Sequence, residues 1–369
     1  MKTEFNRRTL LSFAGMGTAA LLLASCSPAQ NSRPLVAPKA QVDGDLLYYA
    51  PTGYVPDDVI AAFEKEYGVS VKQSYFSTVD EMIQKLGTGM AADITFMPSN
   101  FFPRAVEAGL LLPIDHGQME NWGEVDSTFQ NPSFDPNADH LAGPYVMGGI
   151  GLAYRKSSVK SLTGSWNDLW NLAPKLNQRT FIFDDVTVSM TMALASLGLS
   201  TETDSPDDLG KAADALIELR KSLGGFGSSA GEKLENGEAQ LLMNYSGATL
   251  SAIRNTSFAD DIGFGFCKET LGFNADCLAI PSSAKNPGTA LLFSDFLLRP
   301  DNMKKIVEFV GYPVGTATGI EHYNTLVQDS PFLAYDEQMY SNPEVWLAPL
   351  KDAQLQAWNQ AWTRVKASR

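Results

Sequence analysis

LLYYAPTGYVPDDVIAAFEKEYGVSVKQSYFSTVDEMIQKLGTGMAADITFMPSN, residues 46–100, decides the fold. Leu46–Tyr49 reads as a short apolar strand. Pro56 then opens a helix that carries Val59, Ile60, Phe63 and Tyr67 on one face, and Gly68 stops it. Val69–Tyr75 alternates as a strand does, and Thr78-Val79-Asp80-Glu81 has the spacing of a capping box for a second helix. Ile94–Met97 is a third strand, followed by a helical piece that ends at Gly109. Strand and helix in regular alternation predict a mainly parallel sheet with right-handed crossovers.

A second series lies downstream. Ser165-Trp166-Asn167-Asp168 reads as the start of a helix with Leu169, Trp170 and Leu172. Thr180–Phe183 is a strand running into Asp184-Asp185 and a helix through Met192 and Leu197, and Asp207–Leu223 is a long amphipathic helix. Leu241–Tyr245 and Ile262–Cys267 are strands, separated by a helix near Thr249–Arg254. Helices around Ala290–Leu298 and Asp301–Val310 follow, and a final one holds Leu355, Trp358, Trp362 and Val365. Two α/β series in a chain of 369 residues predict two lobes, because one core rarely organises so much chain. Ligands of such sheets bind where strands deliver their carboxyl ends. The tips to inspect are residues 49–54, 98–102, 184–188, 245–247, 274–276 and 311–313. They are rich in Tyr, Asp, Ser and Gly and nearly free of His, Lys and Arg, which suits recognition better than catalysis.

Upstream, Lys2, Arg7 and Arg8 precede an apolar stretch from Leu10 to Ala24, closed by Leu23-Ala24-Ser25-Cys26. The stretch is shorter than the roughly 20 residues a spanning helix needs. It reads as a signal peptide over residues 1–25, with a terminal tetrapeptide that resembles the lipobox of bacterial lipoproteins; Cys26 would carry the lipid. Arg7-Arg8 fits both a twin-arginine signal and an ordinary basic n-region. Residues 26–42, with Pro28, Pro34 and Pro38 among Ser, Asn, Gln and Ala, read as a tether. Without residues 1–25, 25 Lys and Arg stand against 41 Asp and Glu, a net charge of −16. That balance disfavours nucleic acid and attracts cations. Cys267 and Cys277 flank Gly272, which reads as a hairpin loop, and are either a cross-strand disulfide or two small buried thiols.

From Leu46 to Arg369 the chain resembles the spermidine/putrescine-binding proteins, a branch of the extracellular solute-binding proteins of ABC importers. Residues 48–56 (YYAPTGYVP) resemble the family's first-strand segment, and Pro98-Ser99-Asn100-Phe101 its third-strand tip. Asp184-Asp185 with the following Met192-Ala193-Leu194 helix resembles its second-lobe ligand loop. Residues 276–281 (DCLAIP), 296–301 (FLLRPD) and Gly311-Tyr312-Pro313 resemble its C-terminal half. The resemblance implies a type II periplasmic-binding-protein-like α/β fold, with a ligand cleft between hinged lobes. The lobes would be residues 43–149 plus 276–320 and residues 150–275 plus 321–369. It implies a monomer outside the cytoplasm, anchored through Cys26, that hands a polyamine to membrane permease subunits without catalysis or cofactor.

A polyamine is an alkyl chain bearing ammonium groups, held by carboxylates and aromatic faces. By the resemblance Asp185 and Asp276 take ammonium groups, Tyr54, Tyr245 and Tyr312 form the aromatic cage, and Thr52 and Ser99 add small polar contacts. Phe101 and Trp346 are further aromatic candidates, with Phe273 beside them. The chain departs from the family at Pro51 and Gly53, where Trp and Glu are usual, and at Val188, where a second carboxylate is usual. It departs again at Asn274 in place of Trp, and at Trp346 near a usual Gln. These departures leave open a different small solute, amino-bearing or otherwise cationic.

Other motifs point elsewhere and are weaker. Residues 227–231 (GSSAG) match the G-x-S-x-G pattern of hydrolases, but Gly224-Gly225 before them reads as a loop rather than the strand a nucleophile elbow requires. His116, His140 and His322 are isolated, so no zinc site is expected. Tyr48-Tyr49 could pair as phenolate ligands, but adjacent strand residues face opposite ways. A lipid-anchored hydrolase and an adhesive surface protein are therefore remote readings.

Overall fold

The computed structural model describes residues 35–227, 230–270, 272–335 and 337–368. Cys26 and the leader lie outside them. Among the described residues ten strands form two five-stranded sheets. The first sheet contains β1 (Leu46–Ala50), β2 (Val71–Tyr75), β3 (Ile94–Pro98), β4 (Gly143–Gly148) and β10 (Asn274–Ala279), in the order β2-β1-β3-β10-β4. The second contains β5 (Ile150–Arg155), β6 (Thr180–Phe183), β7 (Gly225–Gly227), β8 (Leu241–Tyr245) and β9 (Ile262–Phe266), in the order β7-β6-β8-β5-β9.

In the first sheet β1 runs parallel to β2 and β3, as the strand–helix alternation requires, whereas β10 is inserted antiparallel between β3 and β4. In the second, β6 is parallel to β7 and β8, and β5 is antiparallel to β8 and β9. The chain leaves the first sheet through Gly148-Gly149-Ile150 and returns between β9 and β10. A third crossing precedes the last helix, where Phe273 pairs with Trp346 in a parallel bridge.

The opening stretch folds as its pattern demands. The helix Asp57–Tyr67 buries Val59, Ile60 and Phe63 and ends at Gly68, whose left-handed φ of 67° suits a residue without a side chain. Thr78 caps the helix Val79–Gly87 by accepting from the Glu81 amide, but Glu81 reaches back to the amide of Ser77 rather than of Thr78. Phe63, Phe293 and Phe296 pack edge to face and bind the helix Pro287–Leu297 to it. On the second sheet the final helix, Asp352–Ala367, lies against the helices Val186–Ser196 and Pro206–Arg220. Trp358 there is fully buried, and its indole N–H donates to the Thr203 carbonyl at 2.9 Å.

The N-terminal segment does not leave the body freely. Gln118 exchanges hydrogen bonds with Ala40 and Pro38, and the Asp43 carboxylate accepts from the amides of Gly288 and Thr289 at the start of the helix Pro287–Leu297. Residues 38–43 are thus stitched to the first sheet's helices.

Two expectations are corrected here. Of the two alternatives for Cys267 and Cys277 the buried thiols hold, both free, and what is corrected is the hairpin. The segment between them is no hairpin: β9 pairs with β5 and β10 with β3 and β4, so the cysteines follow and occupy strands of different sheets. The first glycine of the G-x-S-x-G run, Gly227, ends the short strand β7, and its last two residues, Ala230 and Gly231, open the helix Ala230–Glu235, where the sequence reads as a loop. Ser228 and Ser229 lie outside the described residues. The histidines have other partners: His116 binds the Leu141 carbonyl, His140 binds Asp135 and His322 binds Glu308.

Candidate functional site

The carboxyl ends of β1 and β3 and the loop after β6 open onto a cleft, and β10 adds its beginning to it. Because β10 runs against β3, Asp276 near its start sits beside Pro98 at the end of β3. Pro98 has no amide proton to offer. On the other side the pairing of β10 with β4 slips between Ala275 and Cys277, so the irregularity falls on Asp276. A bulge re-aims a side chain and removes it from the ladder. Ser99 fixes this junction: its amide donates to the Ala275 carbonyl at 2.8 Å, and its hydroxyl accepts from the Ala275 amide and donates to Asn274 Oδ1 at 2.6 Å.

Two adjoining cavities share Tyr54, Val79, Pro98 and Asp276. The first, of about 470 Å³, is bounded by Thr52, Tyr54, Asn274, Asp276 and Tyr312, with Tyr245 facing them from the second sheet. Phe309 and Val310 stand at its edge. The second cavity, of about 580 Å³, has Phe76, Asp80, Phe101 and Asp276 from the first lobe and Asp184, Asp185 and Trp362 from the second. Among the residues lining both cavities are four aspartates and neither a lysine nor an arginine.

The electrostatics follow from enclosure. Tyr54 donates its hydroxyl proton to Asp276 Oδ2, and the Tyr145 hydroxyl donates to the Tyr54 carbonyl at 2.5 Å. Desolvation pushes the Asp276 carboxyl up to about 6, although the Tyr54 hydrogen bond pulls it down. Asp185 caps the helix Val186–Ser196, accepting from the Val188 amide at 2.9 Å. Its carboxyl is still held above the usual range, first by protein mass around the cleft wall and then by the charges of Asp80 and Asp184. Solvent reaches Asp185 through the open cleft even so. Burial also raises the phenols of Tyr245 and Tyr312, so both stay neutral donors. Tyr312 is seated against two glycines: a Cβ on Gly247 would lie 2.4 Å from its ring, and one on Gly148 at 3.2 Å.

The structure therefore brings Thr52, Tyr54, Phe101, Asp185, Tyr245, Asp276 and Tyr312 to one cleft. It does not bring Ser99 or Trp346 there. Ser99 is buried and acts on Asn274 and the β10 backbone. Trp346 turns away because Phe273 holds it in the parallel bridge; it packs on Phe129, Phe134 and Phe273, and its indole N–H donates to the Tyr340 carbonyl at 2.8 Å. Asp80 and Trp362 also line the cleft, though the sequence presents them as a helix-capping acid and a core residue. Tyr48 and Tyr49 are both in the core and bind nothing in the cleft. No group of three His, Cys, Asp or Glu among the described residues could hold a metal ion. No helix among them is long and apolar enough to cross a membrane.

Known proteins match this geometry. The profile of the bacterial extracellular solute-binding protein family covers residues 58–362. The spermidine/putrescine-binding periplasmic protein of Salmonella typhimurium is 30% identical over 333 residues, 89% of this chain and 93% of its own. The Escherichia coli protein of that description is 31% identical, over 84% of this chain and 86% of its own. Among solved structures, a putative spermidine/putrescine ABC transporter protein of Listeria monocytogenes superposes with a TM-score of 0.79 at 25% identity, covering 88% of this chain and all of its own. A lipoprotein of Treponema pallidum gives 0.75 at 23% identity, over 87% and 98%, a likeness of fold. The two sheets, the cleft between them and these matches together make the chain a member of the bacterial extracellular solute-binding protein family.

Proposed function

We propose that the protein captures a polyamine, spermidine or putrescine, in the cleft and presents it to the permease of an ABC importer. The observation that carries this reading is the composition of the walls: four aspartates, eight aromatic rings (Tyr54, Phe76, Phe96, Phe101, Tyr245, Phe309, Tyr312 and Trp362), and no basic side chain among the lining residues. Carboxylates take ammonium groups through charge-assisted hydrogen bonds, and aromatic faces cover the methylenes and add cation–π attraction. An anionic ligand would find no counter-charge there, and a neutral sugar would leave the carboxylates desolvated without compensation. The names of the relatives agree in substrate class.

In this reading Asp276 is the central ammonium partner, Tyr54 orients it, and Tyr245 and Tyr312 enclose the chain in the first cavity. The two lobes are built on the two sheets and hinge at the segments that cross between them; the expected boundaries at 275/276 and 320/321 shift, because they would cut β10 and the helix Ala317–Leu326. Lipid on Cys26 tethers a monomer to the outer side of the cell membrane, with residues 38–43 stitched to the body. The protein binds and delivers without chemistry on the ligand.

Calorimetry on residues 27–369 with putrescine, spermidine, a neutral sugar and an amino acid tests the assignment. Saturable heat with a polyamine that disappears in Asp276→Asn supports it. Binding of another cationic solute with silence toward both polyamines replaces the ligand while keeping the importer role.

A further inference from the structure

Asp80 opens the helix Val79–Gly87 on the first lobe, is exposed, and its carboxylate has no hydrogen-bond or ion-pair partner among the described residues. It faces the second cavity, whose opposite wall carries Asp184 and Asp185. Asp184 is neutralised by Lys366 at 2.6 Å, which leaves Asp80 and Asp185 as like charges without an ion-pair partner among the described residues, contributed by different lobes. Asp276, enclosed by the protein, lies in the same cavity; among the described residues its Oδ2 is engaged by Tyr54 and its Oδ1 has no partner. These carboxylates are too dispersed to coordinate one metal ion among the described residues. Phe101, Phe76 and Trp362 line the space they share. Dispersed negative charge joined by aromatic surface matches positive charge dispersed along an apolar chain.

We propose that Asp80 and Asp185 form a cross-cleft clamp for a second ammonium group of a ligand whose first ammonium is held by Asp276. The clamp makes the cleft selective for linear diamines and longer polyamines over monoamines of the same length. It also ties ligand charge to lobe approach, because a bridging cation converts a repulsion between the lobes into two attractions. The inference rests on the polyamine reading and adds a residue and a rule of selection to it.

The experiment compares putrescine with n-butylamine, which has the same four carbons and one ammonium fewer, by calorimetry on wild type, Asp80→Asn and Asp80→Lys. Asp80 is exposed in the first helical turn, so both variants should melt with the wild type, which circular dichroism verifies. The clamp requires Asp80→Asn to weaken putrescine about tenfold or more while leaving butylamine unchanged. Asp80→Lys, which places a fixed cation opposite Asp185, must weaken putrescine further. Equal effects on both amines, or no effect on putrescine, overturn the clamp while the polyamine assignment stands. A wild type indifferent to putrescine, spermidine and butylamine overturns both.

Discussion

Acidification should weaken polyamine binding while stabilising the empty protein, and the two opposite trends have one source. Asp276 in the empty cleft titrates near 6, whereas an unfolded chain would ionise it near 3.9. If only the carboxylate form accepts the ammonium, affinity at pH 7.5 is nearly full and at pH 5.0 falls about tenfold, since about one Asp276 in ten remains ionised there. Alkylammonium groups titrate near 10 and keep their charge throughout this range. Asp185, also raised, steepens the loss at its acidic end.

For the empty protein the sign is reversed. A carboxyl whose folded value is raised binds its proton more tightly when folded, so stability from this group declines as pH climbs from about 4 to about 6. The full decline is at most ~3 kcal/mol, the shift of about two units at 1.36 kcal/mol each, less what water in the cavity screens. Titration calorimetry with spermidine from pH 5.0 to 8.0, beside urea unfolding of the empty protein, measures both. Asp276→Asn should flatten the stability difference and abolish tight binding at every pH. Wild-type affinity that is flat or rises on acidification would refute the assignment of Asp276 as the central ammonium partner.

Tyr54→Phe removes the donor to Asp276 Oδ2, so affinity at pH 7.5 should drop by ~1.5–3 kcal/mol and the pH midpoint should move above 6; a pH series of binding isotherms reads both. Gly247→Ala drives a methyl to 2.4 Å from the Tyr312 ring, and should cost ~1–3 kcal/mol of stability together with a loss of affinity, measured by unfolding and calorimetry on one sample. Reductant should leave the melting temperature unchanged, and Cys267 and Cys277 should react with a thiol reagent only on unfolding, because both are free and burial raises their thiols.

Which parts were legible follows from how locally each is encoded. The helix from Asp57 to Tyr67 and the strands β6 and β8 carry their own apolar pattern and stops, and the structure places them where the pattern does. The strands β4 and β5 escaped because Gly148-Gly149 sits between them and both flanks are buried, so no alternation marks them. Their identity depends on distant partners, β10 for one and β8 and β9 for the other. The hairpin expected around Gly272 failed for the same reason: proximity in sequence argued for pairing, whereas the chain was changing sheets. Asp276 was found through resemblance; its burial and the bulge beneath it come from antiparallel insertion, which no local pattern records.

The departures at Pro51, Gly53, Val188 and Asn274 imply several lost contacts, each worth ~1.5–3 kcal/mol for an ion pair or ~0.5–2 kcal/mol for an aromatic face. The positions divide once placed in three dimensions. Pro51, Gly53 and Asn274 do line the cleft, so their lost ring and charge are real losses at the wall. Val188 is buried in the second-lobe core, where a carboxylate would need its own partner, so the charge is better carried elsewhere. Compensation arrives on other elements: Asp80 from the first helix turn of the opposite lobe and Trp362 from the final helix, both facing the cavity that holds Asp185. Of the rings the sequence offered as replacements, Phe101 reaches the cleft, whereas Phe273 and Trp346 pack on each other outside it. Charge and aromatic surface thus stand on different walls from those the resemblance implies, so a chain about 30% identical to its relatives can keep an acidic, aromatic cleft without keeping its residues position by position.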